Sequence, residues 1–385
     1  MNQNSTIPAE VSVVNAKMSE YRLWSKLIRD QKVLSFYLET TARCNNNCRH
    51  CYINLPAGDR KAIAAELTLA EINLIADEAI RMGALWGLIT GGEPLLRKDF
   101  AEMYMLLKKK GLLVSVFTNA TLITEDLIQL FKKYPPRDIE VTVYGVTRET
   151  YENVTRKKGS FDAFMKGLKL LFDNEIPVSL KAIALRSNLH EMESIAQFCR
   201  ERSKYNYRFD SVIHLRYDRD AARNQEILKE RLMKEEVVFL ENNDRIRFGQ
   251  LIDHCDKFLN LELPGNNNGQ LFLCGTGNGR FVISYDGKLK LCSSLCSPDM
   301  VSDIRASPSK IPDAFADLSK KVKGMCTSNV EFTERCGICR IQNLCLGCPA
   351  HAWLETGDVD KPAEYFCTIA QARAESLQEG VQGTR

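Results

Sequence analysis

The sequence predicts an α/β fold, a partial (β/α)6 TIM-like barrel followed by a small cysteine-rich α+β domain. Three observations predict it. Between residues 34 and 216 short apolar strands alternate with amphipathic helices; after Arg216 the alternation stops; and nine of the fourteen cysteines lie beyond residue 270. Repeated strand–helix units imply a parallel sheet with right-handed crossovers. Six units are too few for the usual eight-fold barrel, so the barrel is open or partial.

The elements follow in order. LSFYLETT (34–41) is the first strand. TLAE opens a helix with a capping box of Thr68 and Glu71, after which Leu69, Ile72, Ile75, Ala79 and Met82 share one face. LWGLIT (85–90) is the second strand, with a helix near 99–110 whose basic end, Lys108 to Lys110, is solvated. LLVSVFTN (112–119) is the third, and Thr124 starts a helix that Pro135 and Pro136 close. IEVTVYG (139–145), VSLKAIAL (178–185) and FDSVIHL (209–215) supply strands four to six, with helices near 161–172 and 191–202. Residues 218–270 read as charged and helical, with PGNNNG (264–269) as a loop boundary. YDGK (285–288) reads as a hairpin turn. The expected organisation is an N-terminal extension (1–33), the barrel (34–217), a helical connector (218–271) and the cysteine-rich domain (272–385).

Composition narrows the function classes. A net charge of +3 over 385 residues gives no electrostatic footprint for nucleic acid or an acidic membrane. No secretory signal and no long apolar run is visible, so neither export nor a membrane span is expected. Fourteen cysteines in such a chain point to a reducing, cytoplasmic setting, where clustered thiols are metal or redox ligands. Cys199 and Cys255 lie in helical surroundings and read as plain buried thiols.

RCNNNCRHCY (43–52) carries Cys44, Cys48 and Cys51 directly after the first strand. A structural zinc needs four ligands, and His50 within the loop makes a Cys3His site one alternative. The other is a 4Fe–4S cluster with one iron lacking a protein ligand, since a complete cluster takes four thiolates. Loops at the carboxyl ends of parallel strands are where such folds place their chemistry. LITGGEPLLR (88–97) follows at the end of the second strand. Adjacent glycines there allow close backbone approach, and the Glu93 carboxylate can accept from a cationic amine.

CxxxCxxC after the first strand, paired with GGEP after the second, resembles the radical S-adenosylmethionine (SAM) enzymes. The resemblance implies that SAM chelates the open iron and that Gly91, Gly92, Glu93 and Pro94 bind its amino group. It places Thr142 in EVTVYG near the ribose, and Lys181, Arg186 and Asn188 within reach of the ribose or carboxylate. His50 and Tyr52 flank the third cysteine, with Tyr52 packing near the adenine. Lys181, Arg186 and Asn188 equally suit surface roles, and Thr142 an ordinary strand position. His214 and Arg216 on strand six either point into the barrel or serve structure.

The second set comprises Cys274, Cys292, Cys336, Cys339, Cys345, Cys348 and Cys367. Paired CxxC spacings suit zinc ribbons. They are also similar to the SPASM-type extension of radical SAM enzymes, which holds two auxiliary 4Fe–4S clusters. That resemblance assigns Cys274, Cys292 and Cys348 to cluster I, and Cys336, Cys339, Cys345 and Cys367 to cluster II. Cys296 or Cys326 is the candidate fourth ligand of cluster I, unless an iron there is open. The spacing Cys345–Cys348 departs from the commoner CxxxC.

The segments VTVYGVTRETYENVT, YRFDSVI and CPAHAW…GD…P…EYFC resemble the peptide-maturase branch. The implied activity is reductive cleavage of SAM to a 5′-deoxyadenosyl radical, followed by oxidative modification of a peptide, as a thioether or carbon–carbon cross-link. The alternatives are oxidation of a small molecule or tetrapyrrole side chain, and sulfatase-type protein maturation. A flavodoxin- or ferredoxin-type electron donor is implied. About 33 residues precede the first strand, too few for a leader-binding winged helix, so a separate recognition protein is expected for a peptide substrate.

Overall fold

The computed structural model describes residues 32–203, 207–253 and 269–383. The N-terminal extension (almost all of it), most of PGNNNG and Cys255 fall outside them. Six strands pair parallel in sequence order: β1 (Ser35–Thr41), β2 (Trp86–Gly91), β3 (Leu113–Thr118), β4 (Asp138–Val143), β5 (Val178–Ile183) and β6 (Arg208–Asp210). The sheet is the predicted TIM-like α/β fold with parallel strands. Phe36, Leu38, Ile89, Val114, Val116, Ile139 and Val141 are buried along it. Burial of each such side chain contributes about 1.5–3 kcal/mol.

Helices cover the sheet where the sequence places them. Leu69–Arg81 carries the Thr68/Glu71 capping box and buries Ile72, Ile75, Ala76 and Ala79. Phe100–Lys109, Glu125–Lys133, Ser160–Asp173 and Met192–Arg202 follow their strands. Lys108 and Lys109 do occupy the last turn of their helix. Beyond the barrel come three short helices, Ala221–Glu230, Lys234–Asn243 and Arg245–Asp253.

Two features differ from the sequence reading. The sixth strand stops at Asp210 instead of running to 215. Ile213 and Leu215 are buried, but they pack with Val154, Leu185, Ile227 and Leu354 in a side cluster instead of extending the sheet. The second feature is the hairpin. β7 (Arg280–Ile283) and β8 (Lys288–Lys290) turn through Gly287 at φ +81°, as YDGK predicts. Yet β7 also pairs parallel with β1, from Ser35 opposite Arg280 to Leu38 opposite Ile283. With β9 (Ser302–Asp303) on β8, the sheet runs to nine strands in the order β9-β8-β7-β1-β2-β3-β4-β5-β6.

Candidate active site

The cysteine triplet sits where β1 ends. Cys44, Cys48 and Cys51 line one cavity of about 270 Å³, together with Gly91 and Gly92 from the end of β2, Asn119 after β3, Thr142 on β4 and Lys181 on β5. His50 and Tyr52 line it too. The strand ends thus converge on one point.

Local packing explains the glycines. A Cβ on Gly91, at φ +132°, would lie 2.2 Å from the Thr41 carbonyl oxygen, and one on Gly92 2.2 Å from that of Arg43. The Gly92 and Glu93 amides donate to Thr41 and Arg43 carbonyls at 2.8 Å each. The glycines therefore press β2 against the start of the cysteine loop. Glu93 is fully buried, and its oxygens accept from the Leu95 amide, the Thr118 hydroxyl and the Asn119 amide at 3.0, 2.8 and 2.7 Å. Burial raises its pKa to about 7. Neither Glu93 nor Pro94 lines the cavity.

The other expected contacts divide. Lys181 reaches the cavity, paired with Glu140 at 2.7 Å and lying 5.0 Å over the Phe117 ring. Arg186 instead pairs with Glu236, and Asn188 is wholly buried in bonds to the Leu185 amide and the Tyr144 and Ile183 carbonyls. Those two hold the turn after β5 and leave the cavity to others.

Residues that the sequence reading missed hold the loop itself. Arg216, read only as a barrel or structural residue, donates to the Cys51 carbonyl at 3.1 Å and to Asn54 Oδ1 at 3.0 Å. Arg223 donates to the Cys48 carbonyl at 3.1 Å, and Arg156 to that of Asn47 at 2.7 Å. The Asn46 amide donates to Cys44 Sγ at 3.4 Å. No local motif marks these arginines; they converge from more than 100 residues away.

The donor set fits an iron–sulfur group. Burial, then Glu93 and Cys51, push the Cys44 thiol up to about 12, and burial with Cys51 and Cys44 pushes Cys48 well up. Thiols pushed up in this way give up their protons only to a cationic partner such as a metal. Among the described residues no three Cys, His, Asp or Glu side chains converge as ligands of one ion. Buried without a protein partner here are both amide atoms of Asn46 and His50 Nδ1. Burial lowers His50 to about 3, so its ring is neutral.

The second set of cysteines lines a cavity of about 370 Å³ that includes Cys274, Cys336, Cys339, Cys345, Cys348 and Cys367. Their mutual electrostatics fall into two neighbourhoods. After burial, Cys292 is raised by Cys348 and Cys274. Cys336 and Cys345, both pushed up to about 11, feel each other's neighbours Cys339 and Cys367. Cys296, its thiol 3.2 Å from the Ser293 carbonyl oxygen and 4.0 Å from Lys290 Nζ, is pushed up to about 11 by burial, with Glu39 and Cys292 adding to the rise. Cys326 is exposed. Cys199 is a buried helical thiol.

The radical SAM superfamily model matches residues 38–199. Residues 38–199 are a radical SAM domain. Such a domain works with a 4Fe–4S cluster and SAM. An AdoMet-dependent heme synthase of Methanosarcina barkeri is 26% identical over 330 residues, 83% of this chain and 92% of that one. The subtilosin biosynthesis protein AlbA of Bacillus subtilis is 30% identical over 164 residues, 42% of this chain and 36% of its own. Streptococcus suis SuiB bound to its precursor peptide SuiA shares the fold, at TM-score 0.66 and 14% identity, over 96% of this chain and 84% of that one. No described helix is long and apolar enough to cross a membrane.

Proposed function

We propose that this radical SAM enzyme oxidises an unactivated carbon on a tetrapyrrole side chain. The observation that carries the reading is the likeness to the heme synthase, which extends far beyond residues 38–199 and spans most of both chains. When bound at Cys44, Cys48 and Cys51, the cluster with SAM supplies reductive carbon–sulfur cleavage and a 5′-deoxyadenosyl radical. The chain's own part is positional. Arg156, Arg216 and Arg223 hold the cysteine loop by its carbonyls, and their charge offsets that of the thiolates. Gly91, Gly92 and Thr142 shape the SAM side of the cavity, with Lys181 beside them. Cys274, Cys292 and Cys348, and Cys336, Cys339, Cys345 and Cys367, would hold two auxiliary clusters, which would supply a place for the electron left on the substrate. A flavodoxin- or ferredoxin-type protein supplies the first electron, in a cytoplasmic setting.

A peptide substrate is the second reading, favoured by the barrel-length likeness to AlbA and the fold shared with peptide-bound SuiB. Anaerobic reconstitution with dithionite and SAM is expected to yield 5′-deoxyadenosine; none above background overturns both readings. Mass spectrometry after incubation with iron coproporphyrin III or with a cysteine-containing peptide then separates them. Loss of mass from the porphyrin supports the first, and cross-linking of the peptide the second.

A further inference from the structure

Asn119 follows β3, lines the cluster cavity and is bonded to both motifs of the site at once. Its backbone amide donates to Glu93 Oε2 at 2.7 Å. Its side-chain Nδ2 donates to Cys44 Sγ at 3.7 Å and to Asn45 Oδ1 at 2.9 Å. The GGEP carboxylate and the first cysteine of the triplet therefore meet at one residue.

The neighbours decide which end of that amide faces the sulfur. The Thr121 backbone amide and hydroxyl both donate to Asn119 Oδ1, at 3.0 and 2.6 Å. A backbone N–H only donates, so that end is the oxygen, and the two N–H bonds of Nδ2 are left for Cys44 and Asn45. Asn45 closes a ring: its oxygen accepts from Asn119, and its Nδ2 donates to the Thr121 hydroxyl at 2.7 Å. The turn that carries the ring is strained, since Ala120 holds φ +62°, a left-handed conformation that is costly for any residue with a Cβ. The Asn46 backbone amide brings a second N–H to Cys44 Sγ, at 3.4 Å. A neutral thiol is a weak acceptor, whereas N–H bonds to an ionised one are charge-assisted. Two donors on one sulfur suit the thiolate of a metal ligand.

We propose that the ring of Asn45, Asn119 and Thr121 sets the reduction potential of the cluster held at Cys44, Cys48 and Cys51. Hydrogen bonds to ligand sulfur are one of the levers on the potential of an iron–sulfur group. One electron from the donor protein adds one negative charge to the cluster and its thiolates. An N–H fixed on Cys44 stabilises that reduced form more than the oxidised one. Asn119 thus acts through Cys44 as a positioning residue, and Thr121 and Asn45 keep its amide turned toward the sulfur. The proposal rests on the cluster that both readings above share.

The test is a one-electron redox titration of the anaerobically reconstituted protein, followed by electron paramagnetic resonance. The signal that changes on adding SAM identifies the cluster at the triplet. Asn119→Leu removes the amide and Thr121→Val releases it. Each is expected to make reduction about tenfold less favourable, a fall of ~59 mV for one electron. Thr121→Ser keeps the hydroxyl and should hold the wild-type value. In wild type with 15N in its asparagine side-chain amides, the same signal is expected to show nitrogen coupling, lost in Asn119→Leu. The wild-type measurement needs no variant to fold. A SAM-responsive cluster without that coupling overturns the proposal and leaves both readings standing. So does an unchanged potential in Asn119→Leu or Thr121→Val, or a fall in Thr121→Ser as large as in Thr121→Val. Failure of the wild-type triplet to hold a SAM-responsive cluster overturns the underlying readings as well.

Discussion

The Lys290 ammonium lies 2.8 Å from the Glu39 carboxylate, and each side chain is only 5% exposed. Glu39 belongs to β1 and Lys290 to the hairpin strand β8, so the pair ties the first barrel strand to the cysteine-rich segment. Lys290 also donates to the Ser293 carbonyl at 3.2 Å and lies 5.0 Å over the Tyr217 ring.

Removing one partner strands a buried charge. Lys290→Ala is expected to cost about 3–5 kcal/mol in denaturant unfolding. Lys290→Met combined with Glu39→Leu should recover most of that loss. A double variant no more stable than the single would refute this account of the pair.

Arg216 fixes the cysteine loop through a planar guanidinium that reaches Cys51, Asn54 and Asp218 together. A lysine has no such fork. Arg216→Lys is expected to lose charge-assisted bonds worth about 1.5–3 kcal/mol each. Iron bound at the triplet should then pass to a chelator several times faster than in wild type; equal rates would count against the clamp.

Gly92 leaves no room for a methyl group, because the Arg43 and Ala42 carbonyl oxygens would lie 2.2 and 2.7 Å from its Cβ. Gly92→Ala is expected to push that backbone, and Cys44 with it, out of place at a cost of about 1–3 kcal/mol. Thermal melting and iron content should both fall. A variant with full iron and unchanged melting would show that the contact yields freely.

Glu241 supplies a pH dependence. It is 2% exposed and accepts from Ser211, Arg247 and Arg373, the last on the C-terminal helix Glu364–Gly383. Burial opposes its charge, but Arg373 and Arg247 hold its pKa below the usual 4.5. The stabilisation is therefore present above pH 4.5 and is lost as pH falls through the lower folded value. Protection of the C-terminal helix amides, relative to their intrinsic exchange at each pH, should fall below pH 4.5 in wild type. Glu241→Gln should flatten that dependence; an unchanged slope would assign it to other groups.

The sequence reveals what is local. Buried parallel strands are near-continuous apolar runs, so LWGLIT is legible, and a capping box such as Thr68/Glu71 lies within four residues. The triplet and GGEP are legible for the same reason. The sixth strand misled because Ile213 and Leu215 alternate like strand residues while serving a side cluster. Arg216 and Arg223 stay hidden because their bonds to the loop cross 165 and 175 residues. The role of Glu93 was half legible: its place in the motif is visible, but its three internal donors belong to a turn and a neighbouring strand.

The parallel pairing of Arg280–Ile283 with Ser35–Thr41 has a consequence for dissecting the protein. A chain ended near residue 271 would leave the backbone of β1 bare along one side, a template for another molecule's strand. Truncation there should yield an aggregating fragment and not a free-standing barrel. The two cysteine-bearing parts share one hydrogen-bonded sheet, so they are expected to melt in a single cooperative step.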